Sequence, residues 1–213
     1  MLIHTTNSEI YEIPYRYKNE YGKKTIGIYG DSFATLAKHA EYDKDFSHEL
    51  SWLYYLGVLS NSSVDTWGVS GGTEIDLAFI LQKNNLNYDY IILVHTNPIR
   101  RQGKPLIKEN KNNLNLYKAL ALIEVLTRHK KNVLHVFWNK EHEVYKFSHK
   151  KYFMDSILKN HPNQNEVGVT FINKMSTVNK NDQLGGYCHL SNRGNLLLAI
   201  EINKLLFSND ESI

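Results

Sequence analysis

The chain has 213 residues, 42% of them hydrophobic and 22% charged, with a formal net charge of +3. That is enough for one domain with a sizeable core and the composition of an ordinary globular protein, and no run reaches the roughly 18 apolar residues that span a bilayer. A single cysteine, Cys188, excludes an internal disulfide framework and a cysteine metal cluster.

In chain order, residues 1–23 read as an N-terminal arm. It holds Tyr11, Tyr15, Tyr17 and Tyr21 without a clear period, and it suits packing on the domain or assembly into an oligomer or particle. Glu9, Glu12, Arg16 and Lys18 interrupt any apolar centre a secretory signal would need, so the expected setting is cytoplasmic or particle-associated. Residues 24–207 form the expected α/β domain and 208–213 a flexible tail.

Lys24 to Gly30 is the first strand, near-continuously apolar and therefore buried on both faces. It stops abruptly at Gly30-Asp31-Ser32, the manner in which a strand ends at the carboxyl edge of a sheet, where open α/β sheets bind ligands. Ser32 is there either an exposed nucleophile or a helix cap. Ser47 to Leu56 follows as a helix capped by Ser47, with Leu50, Trp52, Leu53 and Leu56 inward. Ser63 to Trp67 is the second strand, ending in Gly68-Val69-Ser70-Gly71-Gly72-Thr73, and Trp67 reads either as a core residue or as a ring that stacks on a sugar. A helix begins at Thr73, with Glu74 and Asp76 in the first turn, where the helix dipole favours acids.

Tyr88 to His95 is the third strand, closed by Thr96-Asn97-Pro98. Asn110 to Lys130 is a long amphipathic helix with Leu114, Tyr117, Leu120, Ala121, Ile123, Val125 and Leu126 as its apolar stripe. Val133 to Trp138 is the fourth strand, Tyr152 to Leu158 a helix and Val167 to Ile172 the fifth strand. A polar loop spans 173–190, and Ser191 to Phe207 closes the chain as a helix with Leu196, Leu197, Ile200 and Leu205 inward. The alternation of strands and helices argues for a parallel sheet covered on both faces.

Charge is unevenly spread. Between Arg100 and Lys151, thirteen Lys or Arg face four Glu, which reads either as solvated helix faces or as a surface for an anionic partner. Nothing points to nucleic acid: there is no zinc finger, RNA-binding signature or Arg-rich tail. His135, His142 and His149 recur every seventh residue, but His135 lies in a strand and no carboxylate completes a metal shell, so neither metal nor other cofactor is expected. Cys188 reads as a packed thiol.

Four fragments thus fall at strand ends or before a helix: Gly30-Asp31-Ser32, Ser70-Gly71-Gly72, Thr96-Asn97-Pro98 and Cys188-His189-Leu190-Ser191. They contain a candidate for each part of a serine hydrolase: nucleophile, base and oxyanion donors. In this order they resemble the blocks of the SGNH, or GDSL-type, esterase and lipase family. Gly30-Asp31-Ser32-Phe33 is similar to the first block, Val69-Ser70-Gly71-Gly72-Thr73 to the second, Asn97 to the third and His189-Leu190-Ser191 to the fifth. The resemblance covers residues 26 to about 200.

It implies a single-domain, three-layer α/β/α sandwich, flavodoxin-like, with about five parallel strands in order 2-1-3-4-5. It also implies Ser32 as nucleophile, His189 as base, and an oxyanion hole from the Ser32 and Gly71 backbone N–H groups and the Asn97 amide. The third block departs from Gly-x-Asn-Asp, reading His95-Thr96-Asn97-Pro98. Gly186 stands where the family places an aspartate three residues before the histidine. Either Asp182 orients His189, or a backbone carbonyl does, or the site is inactive. Arg100 and Arg101 follow Asn97 closely enough for one of them, Arg100, to hold a carboxylate or phosphate on the substrate. The expected activity is hydrolysis of a small acyl ester, such as an O-acetyl group on a carbohydrate. The competing expectation is a non-hydrolytic module that docks a polyanion or protein through the basic stretch.

Overall fold

A computed structural model describes residues 15–34, 51–69, 72–84, 86–96, 111–160, 162, 168–169, 189–190 and 192–207. Its centre is a six-stranded sheet. In chain order the strands are β1 (Tyr15–Tyr17), β2 (Lys24–Gly30), β3 (Ser62–Gly68), β4 (Tyr90–Val94), β5 (Val133–Phe137) and β6 (Lys150–Phe153), lying side by side as β1-β3-β2-β4-β5-β6. The last five of that row are parallel, so their order is the expected 2-1-3-4-5. β1 adds an antiparallel edge, with Tyr15 opposite Thr66 and Tyr17 opposite Val64, so the end of the N-terminal arm covers a strand edge that would otherwise present unpaired backbone.

The helices are α1 (Trp52–Leu59), α2 (Glu74–Lys83), α3 (Lys111–Thr127), α4 (Asp155–Asn160) and α5 (Asn192–Phe207). Side chains alternate across a strand, and the core divides accordingly. Ile26, Ile28, Val64, Ile92 and Val136 pack with Trp52, Leu53, Leu56, Leu198 and Ile202 on the face of α1 and α5. Tyr29, Ile91, Leu93 and Val133 pack with Leu77, Ile80, Leu81, Leu120 and Ile123 on the face of α2 and α3. None of the described helices is long and apolar enough to cross a membrane.

Several expectations are corrected. The fifth parallel strand is Lys150–Phe153, not Val167 to Ile172, and it takes the start of the segment read as a helix from Tyr152; α4 begins only at Asp155. Of 167–172, Gly168–Val169 forms a separate two-stranded ribbon, β7, with β8 (His189–Leu190). α1 starts later than expected and its N-cap is Ser51, whose Oγ accepts the Tyr54 N–H at 3.2 Å; Ser47 and Leu50 lie outside the described residues. α3 turns Ala119, Leu120 and Ile123 inward, leaving Leu114, Tyr117 and Val125 exposed. α5 buries Leu198, Ala199 and Ile202, while Leu196 faces out.

Candidate active site

The register of the three central strands aligns their carboxyl ends. Gly30 of β2 is opposite Gly68 of β3 and Val94 of β4. The segments that follow therefore leave the sheet as neighbours: the turn at Ser32, the loop after Gly68 and the loop after Val94.

Gly30 is required where it stands. A Cβ on it would lie 2.4 Å from the Val94 carbonyl oxygen and 2.7 Å from the Val94 Cβ, contacts that only a residue without a side chain avoids. Its own carbonyl accepts the Val69 N–H at 2.9 Å, tying the first turn to the second loop. Beyond Gly30 the chain enters a 3₁₀ turn over Ser32–Ala34. Asp31 is buried there, its Oδ1 accepting the Phe33 N–H at 3.0 Å and its carbonyl the Ala34 N–H at 2.9 Å. The capping acceptor of this turn is thus Asp31. Ser32 is described in its backbone alone.

In the second loop, the Gly72 N–H donates to the Val69 carbonyl at 2.9 Å. Thr73 then caps α2 in a reciprocal box: its Oγ1 accepts the Asp76 N–H at 3.4 Å, and Asp76 Oδ2 accepts the Thr73 N–H at 2.8 Å. Gly71, two residues before this cap, lies outside the described residues, as do Asn97, Arg100 and Asp182. His189 is described in its backbone, in β8 opposite Val169, three residues before α5 begins.

A group of residues not expected to matter joins the second and third loops. Glu74, the first residue of α2, is buried and reaches the end of β4, where its Oε1 accepts the Thr96 N–H at 3.0 Å and its Oε2 lies 3.0 Å from His95 Nδ1. His95 Nε2 is in turn 2.8 Å from Nδ1 of His135 on β5. A carboxylate only accepts, which places a proton on His95 Nδ1; in neutral His95 the Nε2 is then the acceptor for the His135 Nδ1–H. His135 Nε2 is left buried without a hydrogen-bond partner. Both rings are walled by aromatics: His95 stacks on Phe137 at 4.4 Å and His135 on Phe147 at 4.1 Å. Burial, reinforced by His95, His149 and Lys151, drives the His135 pKa far below its ordinary value, so this ring is neutral. The acid read from sequence as serving the helix dipole is therefore a clamp between two loops. The signal was available in the two histidines, one closing Tyr-Ile-Ile-Leu-Val and the other inside Val-Leu-His-Val-Phe, since a polar side chain in a buried strand requires a partner.

On the other face, a second chain of hydrogen bonds runs from the Ser32 turn to β8. The Trp52 indole N–H donates to the Phe33 carbonyl at 2.9 Å. The Trp52 backbone N–H donates to Asn195 Oδ1 at 3.2 Å, and Asn195 Nδ2 donates to the Leu190 carbonyl at 3.1 Å. Phe33 also rests its ring against Trp138, 4.4 Å between centroids.

No family model and no curated protein sequence matches this chain. Solved structures do. One is an acetylxylan esterase from Geobacillus stearothermophilus, a catalytic mutant, with a TM-score of 0.54 at 13% identity over 89% of this chain and 96% of that one. Another is a carbohydrate acetylesterase family member from Sinorhizobium meliloti, with a TM-score of 0.52 at 14% identity over 87% and 98%. A third, from Desulfitobacterium hafniense DCB-2, is assigned to the lipolytic G-D-S-L family, with a TM-score of 0.51 at 14% identity over 86% and 99%. At these identities the likeness is one of fold, and the fold is that of the SGNH hydrolases.

Proposed function

We propose that this chain, which has the SGNH hydrolase fold, is a serine esterase that removes a small acyl group, with O-acetyl on a carbohydrate as the substrate class. The observation that carries the reading is the alignment of Gly30, Gly68 and Val94, which sends the Ser32 turn and both oxyanion-donor loops out of the sheet side by side. Asp31 Oδ1 supplies an acceptor for the 3₁₀ turn by taking the Phe33 N–H. The substrate class rests on the esterases that share the fold.

In this reading Ser32 Oγ attacks the acyl carbonyl while His189 takes its proton. The tetrahedral oxyanion is met by the Ser32 and Gly71 N–H groups and the Asn97 amide. Collapse expels the alcohol, which leaves with the proton from His189. Water then attacks the acyl-Ser32 ester with His189 again as base, releasing the carboxylic acid and restoring the serine. Asp182 or a backbone carbonyl orients the imidazole, and Arg100 meets a polar or anionic group of the substrate. No metal or cofactor enters the scheme.

The test is hydrolysis of p-nitrophenyl acetate and labelling by a fluorophosphonate, comparing wild type with Ser32→Ala. Loss of both in the variant supports the esterase. Equal behaviour of the two proteins overturns it in favour of a non-hydrolytic binding module, the reading favoured by Gly186 at the position where an aspartate is expected. Asp182→Asn then distinguishes the two ways of orienting His189: a strong fall in rate assigns the acid, an unchanged rate the carbonyl.

A further inference from the structure

Among the described residues, the strand that carries His189 is not part of the central sheet: β8 pairs with β7, while Ser32 follows β2 at the centre of the six-stranded sheet. No ladder of hydrogen bonds among the described residues therefore fixes one relative to the other. A serine and histidine that act together must nevertheless stay within hydrogen-bond reach, about 2.6–3.2 Å, and a displacement of 1 Å costs roughly 100-fold in rate.

We propose that Trp52 and Asn195 are the positioning residues that hold the His189 strand against the Ser32 turn, an inference that rests on the esterase reading above. Three successive hydrogen bonds make the connection, from the Phe33 carbonyl through the Trp52 indole and backbone N–H groups and the Asn195 amide to the Leu190 carbonyl. Each end of the path is the residue directly after a proposed catalytic one. Both ends of the Asn195 amide are used, the oxygen as acceptor and the nitrogen as donor, which no aliphatic or acidic side chain of similar size reproduces. Asn195, Trp52 and Leu190 are all buried, so water does not compete for the two bonds of the Asn195 amide. The Trp52 N–H, the first in α1, is a helix-end donor that needs an outside acceptor, and α5 supplies it. Packing of α1 against α5 is thus the means by which the fifth block is registered on the first. Asn195 and Trp52 do not touch the reacting atoms in this scheme; they act through the backbone of Phe33 and Leu190.

The experiment compares wild type, Ser32→Ala, Trp52→Phe and Asn195→Asp. Trp52→Phe keeps an aromatic ring in the core but removes the bond to Phe33. Asn195→Asp keeps the acceptor for Trp52 and removes the donor to Leu190. Hydrolysis of p-nitrophenyl acetate, the rate of fluorophosphonate labelling and the thermal midpoint are measured together, well below that midpoint. The expected result for both variants is a 10- to 100-fold fall in kcat with KM within about twofold, and a parallel fall in labelling rate. Variants that are folded and retain wild-type kcat and labelling overturn the positioning role while Ser32→Ala remains inactive, leaving the esterase reading intact. Wild-type rates in Ser32→Ala overturn both.

Discussion

Replacing Glu74 by Ala removes a side chain that is 4% exposed and that faces two donors at the end of β4. The Thr96 N–H and His95 Nδ1 each lose a 3.0 Å partner, and neither has water to turn to, since Thr96 and His95 are buried as well. A buried donor left unsatisfied costs about 1–3 kcal/mol, so two give about 2–6 kcal/mol. For a chain of this size each kcal/mol lowers the thermal midpoint by about 2–4 °C, so Glu74→Ala should melt about 4–24 °C below wild type. Glu74→Gln keeps an oxygen for Thr96 and can meet His95 with its amide nitrogen if the ring exchanges tautomers, so its cost should be about half or less. Urea unfolding followed by tryptophan fluorescence reads both. A Glu74→Ala protein within about 1 kcal/mol of wild type would refute the clamp, as would a Gln variant less stable than the Ala one.

His135 gives a pH dependence of definite sign. Its folded value lies well below the ordinary 6.5 because of burial, so the unfolded chain binds a proton that the folded one does not, and stability falls as pH drops below about 6.5. At pH 5 the single group accounts for about 2 kcal/mol of loss relative to pH 7; in His135→Phe that component should vanish from the pH-stability curve, and an unchanged curve would contradict it. Gly30→Ala should be severely destabilising, by about 3 kcal/mol or more, because the new methyl meets the Val94 backbone at 2.4 Å and neither β2 nor β4 can withdraw without breaking their ladder. Denaturant midpoints test this, with a near-native midpoint as the contrary result.

The parts of the fold that were legible are those where burial is symmetric. β4 is apolar along its whole length, β2 is apolar or glycine after Lys24-Thr25, and β5 is apolar but for His135, because both faces are covered, and such runs identify themselves. β6 did not, since an edge strand reading Lys-Lys-Tyr-Phe is only half buried and its lysines guard the edge. Val167 to Ile172 is more apolar, yet most of a short apolar run's fate is decided by its partners. In α3 the sequence offers two overlapping apolar stripes, and only contact with α2 and the sheet selects Ala119, Leu120 and Ile123 over Leu114, Tyr117 and Val125. The Ser32 turn was legible because Gly-Asp-Ser after a buried strand has few structural solutions. Glu74, Trp52 and Asn195 were not, because each acts on a residue remote in sequence, and spacing carries no information about such pairs.

Those remote ties lie on opposite faces of the sheet, and this makes their separateness testable. Glu74, His95 and His135 sit among Phe137 and Phe147 on the side of α2 and α3. Trp52 and Asn195 bridge α1 and α5 on the other side. The hydrogen bonds named in one set involve no residue of the other, with the sheet between them. Substitutions in distant sites without shared partners add to within about 0.5 kcal/mol, so the double variant Glu74→Gln, Asn195→Asp should be destabilised by the sum of the single effects. A coupling above about 1 kcal/mol would mean that the strand ends at Gly30 and Val94 transmit strain from one face to the other. Loops two and three would then be held by the same device as the Ser32 turn and β8, not by two.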